Sequence, residues 1–168
     1  MKNQKSEMQK FILSVLVENK FGVLARIVGL FSARGFNIDS LAVAETEDPC
    51  VSRMTMVVDA DEKTLEQIKK QLNKLIDVIK VIDLTEKEYL DRELVLIRVK
   101  IDSKTRDRVI QVIETLSAKV VDVGRDSLAV EEVGDSKKIN ATLELLRPFG
   151  IMEIVRTGKI VIQAGKKE

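Results

Sequence analysis

Two hydrophobic periods alternate along this chain. The run Phe11-Ile12-Leu13-Ser14-Val15-Leu16-Val17 is short, rich in β-branched residues and almost wholly apolar, which predicts a buried strand. From Gly22 the apolar residues Leu24, Ile27, Val28 and Phe31 fall at i, i+3, i+4 and i+7, the spacing of one helix face. Gly35 ends that helix, where its tolerance of positive φ is useful. A second strand is expected over 37–46. The turn Glu47-Asp48-Pro49 leads to a third over 51–59, where Met54, Met56 and Val58 alternate with Arg53 and Thr55. Asp61 caps a helix with the stripe Leu65, Ile68, Leu72 and Leu75. A fourth strand occupies 78–84. The order is βαββαβ.

Residues 1–10 are polar and predict a loose tail, and the charged stretch 85–92 reads as a linker. The pattern then returns. A strand over 94–101 precedes Asp102 or Ser103, either of which can cap a helix carrying Val109, Val112, Ile113 and Leu116. Segments 120–123 and 127–133 flank Gly124 as a hairpin. Asp135 or Ser136 starts a helix with Ile139, Leu143 and Leu146, stopped by Pro148. The last strands are expected over 151–155 and 159–163. The fold class is therefore α+β, with two ferredoxin-like βαββαβ domains at 11–84 and 93–164. The repeat is one of element order alone, so the second half need not bind what the first half binds.

Composition narrows the chemistry. In 168 residues, 28 Lys and Arg face 27 Asp and Glu, for a formal net charge of +1. That balance gives no electrostatic reason to expect nucleic acid or an anionic membrane as partner. Histidine is absent, which removes the commonest general base, metal ligand and pH switch together. The single Cys50 excludes an intramolecular disulfide and a cysteine zinc cluster. The apolar run at 11–17 is followed by Glu18 and Lys20 without a small-residue cleavage site, and no segment reaches the length of a membrane span. The expectation is a cytoplasmic chain with no catalytic residue and no metal site of its own.

The most informative chemistry lies at the first strand-to-helix turn. A helix N-terminus carries unpaired backbone N–H groups and a partial positive charge, which suits a carboxylate. A side chain at Gly22 would block approach to the N–H groups of Val23 and Leu24, and the Asn19 amide can meet the same carboxylate or an ammonium beside it. Ordinary turn chemistry also accounts for Asn19 and Gly22, and an ordinary helix stop accounts for Gly35 and Asn37. Topology adds a constraint. Strands one and two of a split βαβ unit run parallel, so Asn37 starts at the far end of the sheet from Gly22. An open second strand can pair antiparallel with its copy in another subunit, bringing Asn37 towards the partner's Gly22 turn. That would make an intersubunit pocket for a small amino acid. Arg26 and Arg53 read as solvated charge or as anion contacts.

Two other classes fit less well. An RNA-binding module needs exposed aromatics on its central strands, and 51–58 has none. An acylphosphatase-like hydrolase wants an arginine in the first turn, and Asn19-Lys20-Phe21-Gly22 lacks one.

The run Val17-Glu18-Asn19-Lys20-Phe21-Gly22-Val23-Leu24-Ala25-Arg26-Ile27-Val28-Gly29-Leu30-Phe31 with Gly35-Phe36-Asn37-Ile38-Asp39-Ser40-Leu41 resembles an ACT domain. More narrowly, it is similar to the regulatory small subunit of acetolactate synthase, also called acetohydroxyacid synthase. Asp48-Pro49, Ser52-Arg53-Met54-Thr55, the helix from Leu65 to Leu75, and Ile154-Val155-Arg156-Thr157-Gly158 extend the resemblance over nearly the whole chain. It implies a non-catalytic subunit that homodimerises through its ACT domains and binds a catalytic subunit. That partner uses thiamine diphosphate, Mg2+ and FAD to condense pyruvate with pyruvate or 2-oxobutyrate, opening branched-chain amino acid synthesis. The small subunit raises its activity and confers feedback inhibition by valine. By the same resemblance Asn19, Gly22, Val23, Leu24, Asn37 and Ile38 form the valine site, with Leu24 or Ile38 against the isopropyl group. A free-standing ACT-domain sensor of another enzyme is the alternative.

Overall fold

The computed structural model describes residues 9–165, so residues 1–8 of the tail expected over 1–10 lie outside the described residues, and Gln9 and Lys10 belong to the first strand instead, where they pair with Ala60 and Asp59. Strand β1 (Gln9–Glu18) is central because both its faces are apolar. Leu13, Val15 and Val17 bury towards the helices, and Ile12 and Ser14 are buried on the other face. It is followed by α1 (Val23–Ala33), β2 (Ile38–Glu45), β3 (Val51–Ala60), α2 (Glu62–Leu72) and β4 (Val78–Asp83). The sheet order is β2-β3-β1-β4, with every neighbouring pair antiparallel.

The amphipathic stripes close the core from one side. Val23, Ile27, Leu30 and Phe31 come from α1, and Leu65, Ile68 and Leu72 from α2; the α1 face is rotated from the expected one, since Leu24 and Val28 are exposed while Val23 and Leu30 are buried. Phe31 meets Phe36 edge-on, with ring centroids 6.0 Å apart and planes at 81°. Asp61 caps α2 as expected, its side chain accepting from the Thr64 N–H at 2.6 Å. Asp61→Ala should therefore cost about 1 kcal/mol, read as a lower urea midpoint at unchanged slope.

The second half repeats this order. It runs through β5 (Tyr89–Lys100), α3 (Arg106–Leu116), β6 (Lys119–Val123), β7 (Ser127–Gly134), α4 (Ser136–Leu146) and β8 (Ile151–Arg156). A short 3-10 turn over Arg147–Phe149 contains the Pro148 that stops α4. Sheet order β6-β7-β5-β8 matches that of the first half, with Val95, Ile97, Val99, Val109, Ile113, Leu128, Val130 and Ile139 in the core. Buried Glu93 accepts two hydrogen bonds from Arg156, at 2.6 and 2.7 Å, so the carboxylate is compensated inside the fold.

Three further local expectations change. The stretch 85–92 is shorter as a linker than its charge suggests, because β5 already begins at Tyr89. Asp102 does not sit directly before α3. Its carboxylate gathers the Thr105 hydroxyl and the N–H groups of Thr105 and Lys104, and these bonds hold it below the usual carboxylate range. The final strand β9 (Ile160–Gln163) also departs from the expected boundary at 164. Val161 packs with Ile12 and Leu84, and the Ala164 N–H donates to the Glu88 carbonyl at 2.9 Å. The described residues thus form one unit over 9–90 together with 161–165, and a second over 91–160. Among the described residues no helix is long and apolar enough to cross a membrane.

Candidate functional site

The end of β1 is pinned from two sides. The Glu18 N–H donates to the Asp77 carbonyl at 2.9 Å, and the Asn19 N–H donates to the Cys50 carbonyl at 2.7 Å. The Asn19 amide nitrogen donates to the Pro49 carbonyl at 2.9 Å and to Glu45 Oε1 at 3.0 Å. Both of its N–H donors are then engaged, which leaves its carbonyl oxygen as the atom suited to an ammonium group.

Gly22 stands at the N-cap of α1 with φ +82° and ψ −5°, a left-handed conformation that side chains disfavour. The first helical hydrogen bond runs from the Arg26 N–H to the Gly22 carbonyl at 3.0 Å, so the Leu24 N–H precedes the ladder. The Val23 N–H donates to the Lys20 carbonyl at a long 3.4 Å. Val23 itself is buried and anchors the helix start, whereas the Leu24 side chain is exposed. Below this turn, Lys20 Nζ pairs with Glu18 at 2.8 Å, a hydrogen bond that raises the lysine's pKa.

Arginines 26 and 53 are both partnered, beyond simple solvated charge. Arg26 Nε donates to Asp77 Oδ2 at 2.8 Å, and Asp77 is buried. Its Nη1 would lie 3.3 Å from a Cβ placed on Gly22, so the guanidinium flanks the glycine. Arg53 Nη1 donates to the buried Ser14 hydroxyl at 2.9 Å. The Gly22-to-Arg26 spacing of one helical turn was the available sequence signal for the first contact; nothing local pointed to Asp77.

Asn37 and Ile38 lie elsewhere. Asn37 follows Gly35, which has φ +66°, and its amide donates to Asp39 Oδ1 at 2.8 Å. Ile38 pairs with Val58, which pairs with Phe11 at the other end of β1. One chain therefore brings Asn19, Gly22, Val23 and Leu24 together and keeps Asn37 and Ile38 away from them. Among the described residues β2 pairs only with β3, leaving its outer edge open. No group of three or more Cys, Asp or Glu residues is placed to hold a metal among those residues.

Residues 13–80 match the acetolactate synthase (AHAS) small subunit-like ACT domain, and residues 92–165 match the family described as small subunit of acetolactate synthase. The chain belongs to the acetolactate synthase small-subunit family. A probable acetolactate synthase small subunit of Archaeoglobus fulgidus is 49% identical over 159 residues, covering 95% of this chain and 99% of the relative. The acetolactate synthase small subunit of Mycobacterium leprae is 52% identical over 155 residues, 92% of each. The crystal structure of the small subunit from Thermotoga maritima superposes with a TM-score of 0.85 at 36% identity, covering 95% of this chain and 99% of that one. Membership of the small-subunit family accounts for the two-domain ferredoxin-like fold and for the ACT domain at its start.

Proposed function

We propose that this chain activates the thiamine-diphosphate-dependent catalytic subunit of acetolactate synthase and makes it sensitive to valine. The observation that carries the effector reading is the left-handed Gly22 at the head of α1. It puts no side chain of its own at the approach to the Leu24 N–H, which the Arg26 guanidinium flanks, and the Asn19 carbonyl oxygen lies in the same turn. A valine carboxylate would meet the helix N-terminus and its ammonium the Asn19 oxygen, with Leu24 against the isopropyl group. Asn37 and Ile38 would come from a second copy docked along the open edge of β2, so the site is complete only in the homodimer. Thiamine diphosphate, Mg2+ and FAD belong to the catalytic subunit, which performs the condensation of 2-oxo acids in the cytoplasm.

Regulation of this kind needs modest energies. A differential affinity of about 1–3 kcal/mol between two states of the complex shifts activity several-fold to a hundredfold. Valine, leucine and isoleucine differ by about one methylene, so discrimination among them is expected at about 1–3 kcal/mol as well.

Calorimetric titration of the three amino acids into the chain, alone and with the catalytic subunit, tests the reading. Valine should bind most tightly, with one site per chain in a dimer, and should lower acetolactate formation by the complex. A liganded crystal with valine held inside a single protomer would overturn the intersubunit site. Acetolactate formation by this chain alone would overturn the regulatory role, and capture of a different enzyme would favour a free-standing sensor.

A further inference from the structure

Arg26 stands one helical turn beyond Gly22, and side chains on a helix lean back towards its N-terminus. Its guanidinium accordingly lies over the glycine, with Nη1 3.3 Å from the position a Cβ would take there. Nε donates to Asp77 Oδ2 at 2.8 Å, which restrains the orientation of the group. Neither Nη1 nor Nη2 makes a hydrogen bond among the described residues. The side chain is half exposed, so a solute can reach that fork.

Asp77 is a firm support for it. The residue is buried, and its carbonyl accepts a hydrogen bond from the Glu18 N–H at 2.9 Å. The register of the sheet brings this about. Leu16 pairs with Lys80 and Val17 with Val78, so Ile79 is an extra residue in β4 and Asp77 falls beside Glu18. An arginine already held by one carboxylate loses little further freedom on taking a second anion. Lys20, the other cation of the turn, is engaged by Glu18 at 2.8 Å. Asp77 offsets the charge of Arg26, yet it engages Nε alone and leaves the Nη1 donors at the turn.

We infer that Arg26 binds the effector, its Nη1 and Nη2 donating to the ligand's α-carboxylate while Nε stays on Asp77. This rests on the reading of the Gly22 turn as an amino-acid site. A helix N-terminus alone supplies only a partial positive charge, whereas a guanidinium fork supplies a full one with two parallel donors, the geometry that suits a carboxylate. Asp77 acts as the positioning residue. It also joins the ligand, through Arg26, to the loop between α2 and β4.

Calorimetry of the full chain with valine and with valinamide, which keeps the ammonium and isopropyl groups and lacks the carboxylate, separates this role from a structural one. The wild-type chain should prefer valine by at least about tenfold. Arg26→Gln should weaken valine binding by about ten- to a hundredfold and valinamide binding far less. Loss of the Asp77 pair will lower the melting temperature as well, so the ratio of the two affinities is the readout. Arg26→Lys, which keeps the charge without the fork, should recover part of the preference. Arg125→Gln, an exposed change in the second unit with the same loss of charge, should leave both affinities unaltered. A ratio that stays at the wild-type value in Arg26→Gln would overturn the proposal and assign the Arg26–Asp77 pair to structure alone. So would a wild-type chain that binds the two ligands equally, a result that needs no variant. A wild-type chain that binds neither would defeat the effector reading itself, and this proposal with it.

Discussion

Gly22→Asp is expected to abolish valine binding while leaving the chain folded and able to activate the catalytic subunit. The new carboxylate would occupy the place proposed for the ligand's carboxylate, at the head of α1. Its Cβ would start 3.3 Å from Arg26 Nη1, so the side chain would pair with that guanidinium and close the turn. Hydrogen bonds to a charged group contribute about 1.5–3 kcal/mol each, so losing the carboxylate contacts should cost at least about 3 kcal/mol. That corresponds to more than about a hundredfold in affinity. Backbone strain is a separate effect, because φ is +82° and a side chain in the left-handed region costs about 1–2 kcal/mol. Gly22→Ala isolates it: alanine carries the strain without the charge and should show a smaller loss of affinity. Calorimetry on both variants gives the comparison. Unchanged valine affinity in Gly22→Asp would falsify the placement of the site.

Phe31→Ala should produce the largest loss of stability. The ring is almost wholly buried at the centre of the first core and packs edge-on against Phe36. Truncating a buried phenylalanine costs about 3–5 kcal/mol, a large part of the roughly 5–15 kcal/mol that holds a typical domain together. The second unit has its own core, built from different residues. Scanning calorimetry should therefore resolve two transitions in the variant, with the lower one belonging to the first unit. A single transition shifted as a whole would mean that the units unfold together.

Much of this architecture was legible because local signals agreed with one another. The helical stripe from Leu24 to Phe31, the alternation from Arg53 to Val58 and the cap at Asp61 each point to an element that forms. What escaped the sequence was non-local. Charge in 86–88 resembles a linker, yet Tyr89 and Leu90 already belong to β5, since strand pairing depends on a neighbour distant in sequence. The return of Val161 to Ile12 and Leu84 has no local signature either. The candidate site divides in the same way. A helix starting at a glycine is visible in a string of residues, and so is an asparagine before it. The grip of Asp77 on Arg26 joins residues 51 positions apart, and the bulge at Ile79 exists only in the register of β1 with β4.

The path of the main chain carries a last consequence. Because residues 161–165 complete the first unit, the second is an insertion within it, and the backbone crosses between them at Leu90–Asp91 and again at Ile160–Val161. A fragment ending near residue 84 would lack Val161 and expose the buried side of Ile12 and Leu84. Dissecting the protein into autonomous halves therefore calls for excision of the insert and rejoining of its flanks, because simple truncation leaves the first unit without Val161 against Ile12 and Leu84. A single proteolytic nick at either crossing would leave the two parts covalently joined through the other.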